Sequence, residues 1–139
     1  MRYLDASVPL CTFLGEPADK LEACKQIIGK IEQGEEKVRT SVFTVAEIAH
    51  VLMKRERERP ARIVEVVKRL LECPGLRVGD ARRDLCLPAL ELALRYEVDF
   101  VDAHHRLTMK LHKINEIYSL DHHFDKFPDV KRLETLVVK

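Results

Sequence analysis

Arg2-Tyr3-Leu4-Asp5 begins the chain as a short β-like stretch that stops at an aspartate. After it, apolar residues recur at helical spacing from Leu21 to Ile31, and the pattern ends at Gly34. A strand followed by a helix is the first unit of an alternating α/β pattern.

The alternation continues to the carboxyl terminus. Further short strands are predicted at residues 37–40, 76–78, 117–120 and 135–138. Helical spacing predicts helices around residues 45–53, 63–71, 85–94 and 101–112. Helices separate all but the last two strands, which predicts an α/β fold with a mostly parallel sheet of roughly five strands, covered on both faces.

Composition limits the class of protein. The chain has 139 residues, 46% of them hydrophobic and 34% charged, which predicts a single domain spanning residues 1–139. No apolar run approaches the ~20 residues of a membrane span, and no hydrophobic signal segment precedes Asp5, so we expect a cytoplasmic protein. The net charge of +1 excludes a global field that would draw the chain onto nucleic acid. The four cysteines are widely spaced, and we interpret them as buried thiols.

Four acidic residues carry the strongest indication of function. Asp5, Glu47, Asp102 and Asp121 each follow an apolar run or occupy the predicted first turn of a helix. In an open α/β sheet such positions meet at one edge, where ligands bind. Two bare carboxylates ~4 Å apart repel by ~4 kcal/mol at an effective dielectric of ~20, so the cluster must hold protons, face water or bind a cation. Oxygen ligands favour a hard ion such as Mg²⁺ or Mn²⁺ over zinc.

Each acid also has a structural interpretation, which the sequence leaves open. Asp5 suits the N-cap of a helix, and Thr44-Val45-Ala46-Glu47 fits a capping box. Asp99 suits the N-cap of the next helix. Asp102, in the first turn of that helix, is favoured there by the helix dipole. Asp121 could close a turn with its own side chain.

These residues carry a resemblance to the PIN-domain proteins, whose four motifs occur here in order along the whole chain. The motifs are Tyr3-Leu4-Asp5-Ala6-Ser7, Thr44-Val45-Ala46-Glu47-Ile48, Val101-Asp102-Ala103 and Ser119-Leu120-Asp121-His122-His123-Phe124. The chain is most similar to small VapC-like toxins of toxin–antitoxin pairs. The resemblance implies a three-layer α/β/α sandwich, a homodimer, an antitoxin partner, and cleavage of RNA by water activated with Mg²⁺ or Mn²⁺.

The resemblance also assigns roles. The metal-binding catalytic acids would be Asp5, Glu47, Asp102 and Asp121. Ser7 and Ser119 would support the site by hydrogen bonding, and Asp125 is a further supporting candidate. The alternative is a PIN-like scaffold with a weak or inactive centre that binds RNA or a protein partner.

The chain departs from the family pattern after the third acid, where His104-His105-Arg106 follows Asp102-Ala103. On a helix, His105 and Arg106 share a face with Asp102. We therefore predict that they contact substrate phosphate or orient the acid, with plain surface polarity as the alternative. A zinc site built from histidines is less favoured, because they lack a recognised ligand spacing.

Overall fold

The protein contains one five-stranded sheet. The computed structural model describes residues 1–137. The strands are β1 (Arg2–Leu4), β2 (Val38–Ser41), β3 (Leu76–Gly79), β4 (Glu116–Tyr118) and β5 (Lys131–Leu133). They lie in the order β3-β2-β1-β4-β5, and every neighbouring pair is parallel. The predicted parallel sheet is confirmed, and the strand order reverses beside β1.

Within residues 1–137, six α-helices connect the strands. They are α1 (Ser7–Leu14), α2 (Leu21–Glu32), α3 (Val42–His50), α4 (Pro60–Leu71), α5 (Cys86–Tyr96) and α6 (Phe100–Leu111). Helix α3 continues into a π-helical turn, Val51–Arg55, and the mixed-charge segment that follows is mainly exposed. None of the helices described between residues 1 and 137 combines the length and apolar character that a membrane crossing requires.

Side chains of β1 alternate between the two faces of the sheet, as the two-residue period of a strand requires. Leu4 packs in a core cluster with residues of α1 and α2, such as Val8 and Ile27. Tyr3 packs on the opposite face in a cluster with Met109 of α6. Helices thus cover both faces, and the predicted three-layer α/β/α sandwich is confirmed.

The register of β1 and β4 determines where the site lies. Tyr3 pairs with Ile117, and Leu4 pairs with Tyr118. The backbone N–H of Asp5 donates to the Tyr118 carbonyl at 3.1 Å. The residues after both strands therefore leave the sheet side by side, at the point of reversal where open α/β folds bind ligands.

Two elements differ from the prediction. Helix α1 was not predicted, because Ser7–Leu14 is mostly apolar and shows no polar face. The fifth strand was predicted at residues 135–138 but lies at Lys131–Leu133. Its polar residues suit an edge strand, whereas Leu136 packs against the core outside any strand. Val138 lies outside the described residues.

The cysteines have no disulfide partner among residues 1–137. Cys11, Cys24 and Cys73 are buried, as predicted, and Cys86 is partly exposed.

Candidate active site

Asp5 lies at the carboxyl end of β1, where two hydroxyl groups hold it. Ser7 Oγ and Ser119 Oγ each donate to Asp5 Oδ2 at 2.7 Å. The residue is 2% exposed. Helix α1 begins at Ser7 with Ala6 at the N-cap position, so Asp5 is not the N-cap residue, although its Oδ2 also accepts the Ser7 backbone N–H at 3.4 Å.

Ser119 connects Asp5 to the fourth acid. Its Oγ accepts a hydrogen bond from the Asp121 backbone N–H at 3.0 Å. Asp121 Oδ1 accepts from the His123 N–H at 2.9 Å, so the turn-closing interpretation of Asp121 holds. The same turn brings its carboxylate beside the ends of the two central strands.

Glu47 extends from α3 toward Asp5 and Asp121, and these acids together with Asp102 are called the acidic pocket below. Ser41 caps this helix by accepting the Phe43 N–H at 3.2 Å, so Thr44 lies inside the helix and the capping-box interpretation is wrong. Burial, reinforced by the charges of Asp5 and then Asp121, raises the pKa of Glu47 to about 7.

Asp102 lies in the first turn of α6 and is 4% exposed. Its Oδ2 atom has no hydrogen-bond partner among the described residues. Burial raises the pKa of Asp102 to about 8, with smaller contributions from the charges of Asp121, Asp5, Asp99 and Glu47. The four predicted acids are thus close enough to interact electrostatically, and Asp99 joins them.

The most compact set of metal-binding atoms between residues 1 and 137 includes two side chains that the sequence reasoning did not select. Three ligand atoms lie within 4.8 Å of one another, one from each of Asp99, Asp102 and His123. Asp99 occupies the N-cap position of α6 without a capping side-chain hydrogen bond. The Asp-x-x-Asp spacing places both acids on one helix face and was the available signal. No comparable spacing pointed to His123.

His105 is directed into the core. Its Nδ1 lies 2.7 Å from the Tyr3 hydroxyl, and its Nε2 lies 3.4 Å from Thr44 Oγ1. The residue is 0% exposed, and burial lowers the pKa of its imidazole to about 3. The prediction that His105 contacts substrate is therefore wrong, because no solvent path reaches the ring. His104 is also fully buried, with Nε2 3.0 Å from the Arg82 carbonyl.

Arg106 is also buried, and its Nη1 has no hydrogen-bond partner among the described residues. It is 5% exposed and forms an ion pair with Asp129. The predicted phosphate contact is therefore contradicted. Asp125 is exposed and accepts from Arg132 Nε at 3.0 Å, while Arg132 donates to the Ser119 carbonyl at 3.0 Å. Asp125 thus touches the site only through Arg132.

The pocket has the composition of a cation site. Asp102 Oδ2 is a buried carboxylate oxygen without a donor, and such a group is strongly destabilising unless it is protonated or paired. The neighbouring side chains that raise its pKa are all carboxylates. This donor set fits a divalent ion with oxygen ligands.

The sequence profile of the PIN domain matches residues 2–130. This chain belongs to the PIN-domain family. Ribonuclease VapC13 of Mycobacterium tuberculosis is 30% identical over 139 residues, covering 96% of this chain and 99% of that protein. The PIN-domain resemblance found in the four motifs is confirmed.

Solved structures share the fold of this PIN-domain protein. Mycobacterium tuberculosis VapC20, described as a sarcin-ricin loop cleaving toxin, has a TM-score of 0.74 at 20% identity, covering 94% of this chain and 97% of that chain. A toxin–antitoxin complex from Klebsiella pneumoniae has a TM-score of 0.62 at 17% identity, covering 94% of this chain and 96% of that chain.

Proposed function

We propose that this PIN-domain protein is a metal-dependent ribonuclease and the toxin of a toxin–antitoxin pair. Asp5, Glu47, Asp102 and Asp121 are its catalytic acids, and they hold Mg²⁺ or Mn²⁺. The similarity to VapC ribonucleases supports the reaction class. The observation that carries the assignment is Asp102, a buried carboxylate with one unpartnered oxygen among charges of its own sign.

Hydrogen bonds around the acids fix their positions. Ser7 and Ser119 fix the rotation of the Asp5 carboxylate by donating to the same oxygen. Ser119 also holds the backbone of Asp121, and Arg132, paired with Asp125, holds the Ser119 carbonyl. A divalent cation bound by the acids would lower the pKa of a water molecule and neutralise charge on the scissile phosphate. The acids therefore position the ion, and no side chain has to act as nucleophile.

The test is RNA cleavage by wild type and Asp5→Asn, each with Mg²⁺, with Mn²⁺ and with chelator. The amide keeps the shape of the side chain and removes its charge, so we expect at least ~100-fold slower cleavage. Wild type with chelator should be equally slow. Circular dichroism should show that the fold is retained.

Asp19→Asn is the matched control, because Asp19 is exposed on a short turn and is not among the charges that raise the pKa of Glu47 or Asp102. It should cleave at the wild-type rate. Undiminished cleavage by Asp5→Asn, or by wild type in chelator, would contradict the proposal.

Two protein partners follow from the proposal. The Klebsiella pneumoniae neighbour is a toxin–antitoxin complex, which supports an antitoxin partner for this chain as well. The homodimer remains a prediction. Leu87, Leu90 and Leu94 of α5 are 65%, 46% and 74% exposed and form an apolar stripe at helical spacing, which is the kind of surface that an interface buries.

Displacement of the acids by the departure from the family pattern at His104-His105-Arg106 would favour the scaffold alternative. Both His104 and His105 lie inside the core and leave the acids in place. No feature of the pocket favours the inactive scaffold over the nuclease.

A further inference from the structure

We propose that Asp99, Asp102 and His123 form a cation subsite with mixed oxygen and nitrogen ligands, which makes the pocket prefer Mn²⁺ over Mg²⁺. The inference rests on the proposed function, because Asp102 belongs to both sites. It adds two ligands that the four PIN motifs do not assign, and it ranks the two ions of the proposed function, Mn²⁺ above Mg²⁺.

The three side chains come from two separate segments. Asp99 and Asp102 lie one helical turn apart at the start of α6, and His123 lies in the 3₁₀-helical turn after Asp121. Their ligand atoms lie within 4.8 Å of one another. Ligands of one first-row ion, each bound at ~2.1 Å, are ~3 to 4 Å apart. His123 Nδ1 and Asp102 Oδ2, 3.6 Å apart, already fall in this range, and the exposed Asp99 side chain can rotate to join them.

The His123 imidazole lies close to two of the acids. His123 Nδ1 lies 3.6 Å from Asp102 Oδ2 and 3.2 Å from Asp121 Oδ1. Asp102 Oδ2 is the buried oxygen without a hydrogen-bond partner. An ion between this oxygen and the ring nitrogen would satisfy the carboxylate, which the neighbouring acids cannot do.

The donor types determine the metal. Mg²⁺ is a hard ion that takes oxygen ligands and keeps several waters. Imidazole nitrogen is a ligand of first-row transition ions rather than of Mg²⁺. Mn²⁺ has the lowest affinity of these ions for such a ligand, but it accepts carboxylates as readily as Mg²⁺ does. Replacing one oxygen ligand by His123 therefore shifts the balance toward Mn²⁺.

The test uses the full-length protein, stripped with chelator and titrated with Mn²⁺. Free Mn²⁺ is followed by electron paramagnetic resonance, and Mg²⁺ is measured by competition. We expect wild type to bind Mn²⁺ more tightly than Mg²⁺ and to show nitrogen coupling in the Mn²⁺ spin-echo spectrum. His123→Ala should weaken Mn²⁺ binding by ~10-fold or more, lose the nitrogen coupling and change Mg²⁺ binding by less than ~3-fold.

His122→Ala is the matched control. His122 is the adjacent exposed histidine and contacts Asp125 instead of the pocket acids, so Mn²⁺ binding and the nitrogen signal should not change. Asp99→Asn is a second variant that should weaken Mn²⁺ binding while it retains the nitrogen coupling.

The outcomes separate this inference from the proposed function. An all-oxygen spectrum in wild type, or equal losses of Mn²⁺ and Mg²⁺ binding in His123→Ala, overturns the nitrogen ligand but leaves a metal-dependent nuclease intact. Absence of binding of either ion by wild type overturns both.

Discussion

Asp102→Asn should stabilise the metal-free protein even though it removes a proposed catalytic acid. Burial, followed by the charges of Asp121 and Asp5, raises the pKa of Asp102 to about 8, whereas an aspartate in an unfolded chain titrates near ~4. At pH 7 the folded protein retains a proton that the unfolded chain releases. This difference lowers the free energy of unfolding by ~1.4 kcal/mol per pH unit above ~4, or ~4 kcal/mol at pH 7.

Asparagine is neutral at every pH and does not carry this penalty. The stabilisation should therefore be near zero at pH 4, grow as the pH rises and level off above pH 8. Relaxation of the pocket and entry of water reduce the effect, so we expect a gain of ~1 to 3 kcal/mol at pH 7, or ~3 to 10 °C in Tm.

The assay is urea unfolding in chelator between pH 4.5 and 8.5, with Asp19→Asn as an exposed aspartate control. Saturating Mn²⁺ should reverse the order of stability, because wild type then gains the binding energy of the ion. The reasoning is refuted if Asp102→Asn is less stable than wild type at pH 8 in chelator. It is also refuted if the difference between the two proteins does not depend on pH.

Two further predictions concern the core and the surface. His105→Leu leaves the Tyr3 hydroxyl and Thr44 Oγ1 without their histidine partner and should lower the free energy of unfolding by ~2 to 4 kcal/mol at pH 7 in urea titrations. Burial lowers the pKa of His105 to about 3, so wild type loses stability as the pH falls below ~6.5. The difference in free energy of unfolding between wild type and His105→Leu should therefore shrink at low pH. A difference that does not change with pH would argue against the buried neutral ring. Leu94→Lys adds a charge to the exposed stripe of α5 and should shift a homodimer to monomer in sedimentation, whereas an unchanged mass would exclude this stripe from an interface.

The convergence of the acids could be predicted because it depends on regular features. The alternation of strands and helices fixes which strand ends share an edge, and the reversal of strand order beside β1 brings Asp5 and Asp121 together. A serine two residues after the first acid and another two residues before the fourth were recognisable from the motifs. Their hydrogen bonds to Asp5 agree with the supporting role that the resemblance assigned.

The environment of α6 could not be predicted in the same way. Helical spacing correctly placed His105 and Arg106 on the same face of the helix as Asp102, but it does not reveal which side chains pack against that face. All residues from Asp102 to Arg106 are buried, so neighbouring side chains on one face contact different partners. Tyr3 and Asp129 come from distant parts of the chain, and only the assembled fold brings them to this helix.

The pairing of β4 with β1, which are far apart in the sequence, has a consequence for the synthesis of this protein on the ribosome. A nascent chain that has not reached residue 121 lacks a central strand and one of the four acids, because β4 spans Glu116–Tyr118 in a sheet that begins at Arg2. The four acids can therefore come together only after residue 121 has been translated. A product truncated before residue 121 should therefore lack the proposed nuclease activity.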